Sequence, residues 1–460
     1  MSESFAALQG ALGAVRAAGV PLILLRHREL DAVTAAEAGD YDLLAPDSDY
    51  DRTIEIIHAS LLETRASYRV HAAKPEKRLI VLFDPESASE TVVDLWREHR
   101  ILARRTAGRH TEGFLLYSTL APCCRLEGDV LRMPAWLELA VYLGHLLEKK
   151  KDLKSEGVKQ RLLRYANKDA AAAPGAAELG KVLAAAPARL LAGELTVEAA
   201  AATAWQVLES LGLILSEPQR SGHFRWKLRR TFRSVERRLG RGAVVSIQGP
   251  DGSGKTTIVD SLRAEPPPGL DPSGSAAGSS HEWVPGRRIF PVVFKRLYRK
   301  SIFRILYKMT RKLRRLRNRA EPKEVVEVAL APFLFAGALL NYWLLQALRG
   351  RGRAFVFDRY FTDLLVTNRK DGGEELGLNS SGRWLERLVP RADCAVLLAV
   401  SSEALRARKA EMTGENARRY TSLLAGLYTV RPPRELLVLR TDVDLRRTLE
   451  ILKSTLENVR

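Results

Sequence analysis

Cysteine is scarce in this sequence. The three present, Cys123, Cys124 and Cys394, form no CxxC pair. That excludes a disulfide framework and a cysteine-ligated zinc site. A secretory leader is also missing: residues 1–10 show no basic segment followed by an apolar core, so a reduced, cytoplasmic protein is expected. Acidic side chains are absent from one long stretch, Arg287 to Arg319, which holds 14 basic residues and no Asp or Glu. What remains is ordinary globular material. The chain has 460 residues, 46% hydrophobic and 28% charged, which excludes wholesale disorder and leaves room for two or three domains.

The net charge of +19 is concentrated in two places. Arg220 to Arg241 contributes nine basic residues against Glu236 alone, and with Arg287–Arg319 it carries +22, leaving the rest of the chain at −3. Basic stretches of this kind attract phosphates, nucleic acid or anionic lipid and say nothing about fold.

Hydrophobic periodicity gives a coarse map. Phe5, Leu8, Leu12 and Val15 have helical spacing, and Val20–Leu25, Asp40–Ala45, Leu79–Phe83 and Thr91–Trp96 read as strands. From Pro134 the pattern is helical (Trp136, Leu139, Leu143, Leu146), and Ala170–Ala204 reads as short packed helices broken at Pro174 and Pro187. The second half alternates in type. Strands are expected at Ala243–Gln248, near His281–Trp283, and at Ala354–Asp358, Asp393–Val400 and Glu435–Arg440. Most are followed by helical patterns, the first at Lys255–Arg263. Alternation of this kind means α/β, with a parallel sheet and helices on both faces. Val328–Leu348 holds no charge and is long enough to suggest a membrane span. It lies between two segments that must face one nucleotide from the same sheet, so buried core helices broken at Pro332 are expected instead.

The strongest motif is Gly249-Pro-Asp251-Gly252-Ser253-Gly254-Lys255-Thr256, which fits GxxxxGK[ST] between a predicted strand and a predicted helix. Glycines let successive main-chain N–H groups turn around phosphate oxygens. Lys255 can reach the β- and γ-phosphates, and the Thr256 hydroxyl can hold Mg²⁺. A carboxylate at a strand's end, as at Asp358, can bind Mg²⁺, and Arg359 beside it can pair with a phosphate in forked geometry.

With Thr257, this loop resembles that of thymidylate kinases and their relatives. So does Asp358-Arg359-Tyr360 at the end of a buried strand, and so do the basic residues Arg406, Arg408, Lys409, Arg418 and Arg419, which are similar to that family's lid. The resemblance runs from about Gly242 to Arg460. It implies a P-loop kinase that uses ATP and Mg²⁺, with Lys255, Asp358, Arg359 and Asp251 as catalytic residues. Gly249 to Thr257, Arg408 and Arg418 would lie on the nucleotide. The acceptor it implies is a nucleoside monophosphate such as dTMP. Where the family carries its substrate-gripping arginine, this chain has Arg287 and Arg288 in another context, so a kinase of a sugar or glycan intermediate stays open. A nucleotide-switched binding protein is the reading from a different class.

The first half carries Asp40-Tyr41-Asp42 and, later, Asp94. Period 2 puts Asp40 and Asp42 on one face of a strand, and paired carboxylates can clamp Mg²⁺ for an in-line displacement. These residues resemble the nucleotidyltransferase family, which implies an α+β core and a metal site at Asp40, Asp42 and Asp94. Arg26-His27-Arg28-Glu29 stands where that family grips the triphosphate with Gly-Ser. The expected domains are a nucleotidyltransferase-like core at 1–105, a helical extension at 106–219, a basic connector at 220–241 and a kinase-like domain at 242–460. Within 287–319, Phe294, Tyr298, Ile302, Ile305, Met309, Leu313 and Leu316 recur at helical spacing. An amphipathic cationic helix is expected there, facing substrate, an anionic membrane or nucleic acid. Besides ATP and a small acceptor, the named partners include a second copy of the chain in a homodimer.

Overall fold

Apolar strand runs alternating with amphipathic helical runs give an α/β molecule. The computed structural model describes residues 3–25, 41–64, 66–74, 76–84, 90–106, 109–167, 177–215, 243–262, 288–293, 335–347, 353–364, 366–367, 377–378, 388–408, 413–430, 432–442 and 445–457. The chain forms two units. One comprises most of the sequence before Leu228, and the other the remainder together with Leu62–Ala72.

The first unit opens with α1 (Glu3–Ala17), which buries Phe5, Leu8, Leu12 and Val15 as their spacing predicts. Next come β1 (Leu22–Leu24), β2 (Tyr41–Leu44) and α2 (Tyr50–Glu63). Most of β3 (Ser67–Lys74) belongs to the second unit. After β4 (Lys77–Phe83) and β5 (Glu90–Trp96), β6 (Glu98–Thr106) and β7 (Arg109–Leu116) form a separate antiparallel pair. This pair falls across the expected start of the helical extension. Glu98, Arg100, Arg104 and Arg105 interrupt its apolar pattern, so no strand run marks it in the sequence. The short helix α3 (Tyr117–Leu120), β8 (Arg125–Glu127) and β9 (Val130–Arg132) complete the α+β part. Its strands lie in the order β4-β5-β2-β1-β9-β8, with β2 parallel to β5 and β1 parallel to β9.

Four helices follow: α4 (Ala135–Lys149), α5 (Glu156–Asn167), α6 (Ala177–Leu191) and α7 (Val197–Ser210). Leu139, Leu143, Leu183, Leu190, Ala204 and Leu208 join one apolar core. Pro187 was expected to break a helix, yet it lies inside α6. The lost hydrogen bond and ring clash cost about 3 kcal/mol. Burial of Leu183, Ala186 and Leu190 on the same helix offsets that cost. Pro174 lies outside the described residues.

The second unit contains β10 (Ala243–Gln248), α8 (Lys255–Ser261), β11 (Arg288–Val293), helix α9 at 335–347 and β12 (Arg353–Asp358). A two-residue pair, β13 (Val366–Thr367) and β14 (Gly377–Leu378), precedes β15 (Cys394–Ala399). The chain continues through α10 (Ser402–Ala407), α11 (Gly414–Val430), β16 (Glu435–Arg440) and α12 (Leu445–Glu457). Five strands run parallel in the order β11-β12-β10-β15-β16, and β3 adds to β16 antiparallel. Every residue of β10 and β15 is buried, as expected for the central strands of a parallel sheet covered on both faces.

Two expectations need correction here. Residues 288–293 form a strand, not the start of the cationic helix, and the strand expected near His281–Trp283 lies outside the described residues. Ile289, Phe290, Val292 and Val293 favour extended backbone. Pro291 is accommodated because β11 ends the strand order, where one side of the strand needs no ladder donor. Residues 294–319, which carry the cationic periodicity, also lie outside the described residues. The second correction concerns 335–347: Phe335, Ala338, Tyr342 and Gln346 are buried, but Leu340, Trp343 and Leu344 are exposed. It is a one-sided helix and not a core helix. Its buried rings meet Phe357 and Phe361 at centroid distances of 5.5–6.0 Å, which packs α9 against the end of β12. No helix among the described residues is long and apolar enough to cross a membrane.

Candidate active site

The chain leaves the central strand β10 for β11 and β12 on one side, then for β15 and β16 on the other. That reversal makes the carboxyl end of β10 a switch point, the place where an open α/β sheet leaves a crevice. Gly249–Gly254 fills the turn there. A Cβ at Gly249 would stand 2.9 Å from the Leu398 carbonyl oxygen and 2.7 Å from Ser253 Oγ, so only glycine fits. Gly254, with φ of 88°, needs the left-handed backbone that glycine adopts without strain.

Lys255 is buried and folds back over this turn. Its ammonium donates to the carbonyls of Gly249 at 2.8 Å and Pro250 at 2.7 Å, with the Asp251 carboxylate 3.7 Å away. Arg359 reaches the same carboxylate, donating from Nη2 to Asp251 Oδ1 at 2.5 Å. Its backbone is left-handed, φ 73°, at a cost of about 1 kcal/mol for a residue with a Cβ. The Arg359 N–H donates to the Ile247 carbonyl at 2.9 Å and holds that conformation. Asp358 ends β12 with Oδ1 buried and without a hydrogen-bond partner among the described residues. Desolvating a carboxylate oxygen without a donor is costly, and a cation or a donor from a bound ligand would relieve that cost.

These groups line one pocket of about 620 Å³, formed by Asp251, Gly252, Gly254, Lys255, Thr256, Thr257 and Ile258 with Asp358, Arg359, Arg408, Thr441 and Leu445. Its residue types, a cation-lined loop facing a strand-end carboxylate, suit a polyphosphate with Mg²⁺. Thr256 and Asp358 offer the oxygen donors. Arg408 is held at the rim, donating to the carbonyls of Thr441 at 2.6 Å and Gly252 at 3.3 Å. Arg418 does not line the pocket and instead donates to Ser402 Oγ at 3.5 Å. Arg406 is exposed on α10, and Lys409 lies outside the described residues. Ser253 Oγ is buried under the turn, and Gly249 and Thr257 flank it.

Three buried residues escaped the sequence reading. Gln248 donates from Nε2 to Thr362 Oγ1 at 2.5 Å and accepts from the Tyr428 hydroxyl through Oε1. The Thr362 and Tyr428 hydroxyls lie 3.3 Å apart. This network anchors the residue immediately before Gly249. The available signal was a glutamine closing a strand that is apolar but for Ser246. Beside the pocket, Ser401 N–H and Arg440 both donate to Asp442. Burial pushes the Asp442 carboxyl up, but its hydrogen bond and ion pair with Arg440 outweigh this and hold it below the ordinary range.

In the first unit, Asp42 and Asp94 are register partners on β2 and β5, so their side chains share a face. The Trp96 indole donates to Asp42 Oδ1 at 3.1 Å. The Lys77 ammonium pairs with Asp94 and sits 4.6 Å over the Trp96 ring. An indole and a side-chain cation therefore engage one oxygen of Asp42 and one of Asp94. Each carboxylate keeps a second, buried oxygen outside these contacts, and Asp40 and residues 26–29 lie outside the described residues. Among the described residues no group of three metal-ligating side chains occurs. Burial raises the thiols of Cys124, to about 12, and of Cys394, so neither is a thiolate at neutral pH.

No protein-family model matches this chain, and no curated protein matches it either.

Proposed function

We propose that the protein is a cytoplasmic, ATP-dependent phosphotransferase of the thymidylate kinase-like class, moving the γ-phosphoryl group to a small acceptor, with a nucleoside monophosphate such as dTMP as the expected substrate. One observation carries the reading. The Gly249–Thr256 turn, the Lys255 ammonium, the strand-end carboxylate of Asp358 and the guanidinium groups of Arg359 and Arg408 converge on a single pocket at the switch point. A loop binds nucleotide; a loop facing a carboxylate and two arginines can also transfer.

The main chain of 249–254 would cradle the phosphates. Lys255 would exchange the Gly249 and Pro250 carbonyls for β- and γ-phosphate oxygens, a short swing from its present contacts. Thr256 and Asp358 would hold Mg²⁺, which neutralises phosphate charge when bound. Arg359 would exchange Asp251 for the acceptor's phosphate, and Asp251, so released, would orient the acceptor. Arg408 would lie against the transferring group, where a fixed positive charge matters most as charge spreads over its oxygens. Gln248, Thr362 and Tyr428 position the turn and touch no reacting atom.

The test is a panel of nucleoside monophosphates, nucleosides and sugars incubated with ATP and Mg²⁺, with phosphorylated product detected directly for wild type and Lys255→Ala. The expected outcome is one productive acceptor class and a loss of about 10³-fold or more in Lys255→Ala. Absence of product from every acceptor, with the two proteins indistinguishable, would refute the assignment.

A further inference from the structure

The helix at 335–347 has two unlike faces. Phe335, Ala338, Tyr342 and Gln346 are buried, whereas Leu340, Trp343 and Leu344 remain 42, 48 and 45% exposed. Their spacing of three and four residues puts these three on one side of the helix. Ala336 and Ala347 are exposed on the same side, so the stripe holds no polar side chain. No charged residue occurs from Val328 to Leu348, and Arg349, Arg351 and Arg353 follow at once. Upstream, Glu321, Lys323, Glu324 and Glu327 directly precede the uncharged run, and Arg287–Arg319 before them holds 14 basic residues and no acid.

We propose that this helix face docks on the surface of an anionic phospholipid bilayer, with Leu340, Trp343 and Leu344 entering the headgroup–acyl boundary and the flanking arginines pairing with headgroup phosphates. A stacked apolar stripe at a monomer's surface marks an interaction site. An indole flanked by leucines and followed by arginines is suited to the membrane interface. Charge selects the occupant. Arg349, Arg351 and Arg353, which follow the helix directly, complement an anionic lipid. Area points the same way. Three half-exposed side chains fall well short of the roughly 800 Å² per partner of a stable protein interface, while an interfacial helix has no such threshold. Duplex nucleic acid would use the arginines but gains nothing from two leucines. The helix lies flat and does not span. The inference is independent of the phosphotransfer reading.

The experiment is co-sedimentation of the full chain with vesicles of phosphatidylcholine, with and without phosphatidylserine, for wild type, Trp343→Ser and Leu340→Ser/Leu344→Ser. Circular dichroism checks that each variant is folded. The expected result is partition onto phosphatidylserine-containing vesicles only, weakened about tenfold or more by either variant and by added salt. A blue shift of emission on binding, absent in a Trp343→Phe chain that still partitions, would place the indole in the boundary. Three results would overturn the proposal: no partition, partition unchanged in both serine variants, or a dimer in light scattering that Trp343→Ser dissociates.

Discussion

Asp358 in the second unit ends a strand with one carboxylate oxygen buried and without a hydrogen-bond partner among the described residues. Asp42 and Asp94 in the first unit lie within strands, and Trp96 and Lys77 each engage one of their oxygens. Register explains the difference. Asp94 and Trp96 share a face of β5 because side chains alternate with period 2. Lys77 is the register partner of Trp96, and Asp42 of Asp94, so lysine and indole both reach a carboxylate along a diagonal. A strand-end carboxylate has loops beyond it and can be left for a ligand. A mid-strand carboxylate meets whatever its neighbours carry, and here they carry a cation and an N–H donor.

The sharpest way to break this comparison is to neutralise one carboxylate in each unit. Asp358→Asn should lower kcat by about 10²–10³-fold with an unchanged melting temperature. Asp94→Asn should leave phosphoryl transfer within about twofold. Steady-state kinetics on the acceptor found in the panel decides it, and the reverse pattern would move the chemistry to the first unit. The next effect is on stability. Lys77→Met leaves the Asp94 carboxylate, 7% exposed, without its cation, and should cost about 2–3 kcal/mol in urea unfolding of the first unit. Lys77→Met/Asp94→Leu should recover part of that loss, because a buried ion pair replaced by packed apolar groups is often neutral. If Lys77→Met instead raised the affinity for Mn²⁺ without loss of stability, the pair would be a metal site blocked by its lysine.

Acid should separate the units as well. Burial, and then the charge of Arg78, lower His58 to about 4, so it stays neutral in the folded first unit while the unfolded chain protonates near pH 6.5. Unfolding therefore takes up a proton between these values. Stability that is full above about pH 6.5 falls as pH approaches 4, by about 3 kcal/mol at most. Asp442, in the second unit, has its carboxyl held low. Its contribution persists above the ordinary carboxylate range and is lost only as pH falls through the depressed value. Urea unfolding from pH 7 to 4, followed through signals from each unit, should show the first weakening earlier, and His58→Gln should flatten its slope. A second unit that weakened first would contradict this assignment.

The map of strands was legible where burial on both faces forced mainly apolar runs, as at Ala243–Gln248 and Glu435–Arg440. It failed where pairing supplied the order. Glu98–Thr106 and Arg109–Leu116 pair with each other through the main chain, and charged residues in both interrupt any apolar run. Ser67–Lys74 is a strand because β16 offers an edge to it, with the Ala72 N–H on the Arg434 carbonyl and His71 on Glu435. No local pattern encodes a neighbour so distant in sequence. In the site, Lys255, Asp358 and Arg359 were legible because phosphate chemistry demands those types at those places. The Arg359–Asp251 pair was not, because it depends on a left-handed backbone at residue 359. Nor was the triad of Gln248, Thr362 and Tyr428, whose members are up to 180 residues apart.

The smallest expected effect tests geometry against pattern. Arg408 and Arg418 both fit a basic lid by sequence, yet only Arg408 is held at the pocket, by the Thr441 and Gly252 carbonyls. A guanidinium fixed beside the phosphates contributes to binding and transfer. One that reaches only a serine hydroxyl on the exposed face of α11 exchanges that contact for water at little cost. Arg408→Ala should therefore raise KM for ATP roughly tenfold, and Arg418→Ala should change it less than about twofold. Equal losses in both would mean that Arg418 moves onto the nucleotide in the bound enzyme. The second unit's open carboxylate would then work in a site that closes, and its contrast with the internally paired carboxylates of the first unit would be one of motion as well as of register.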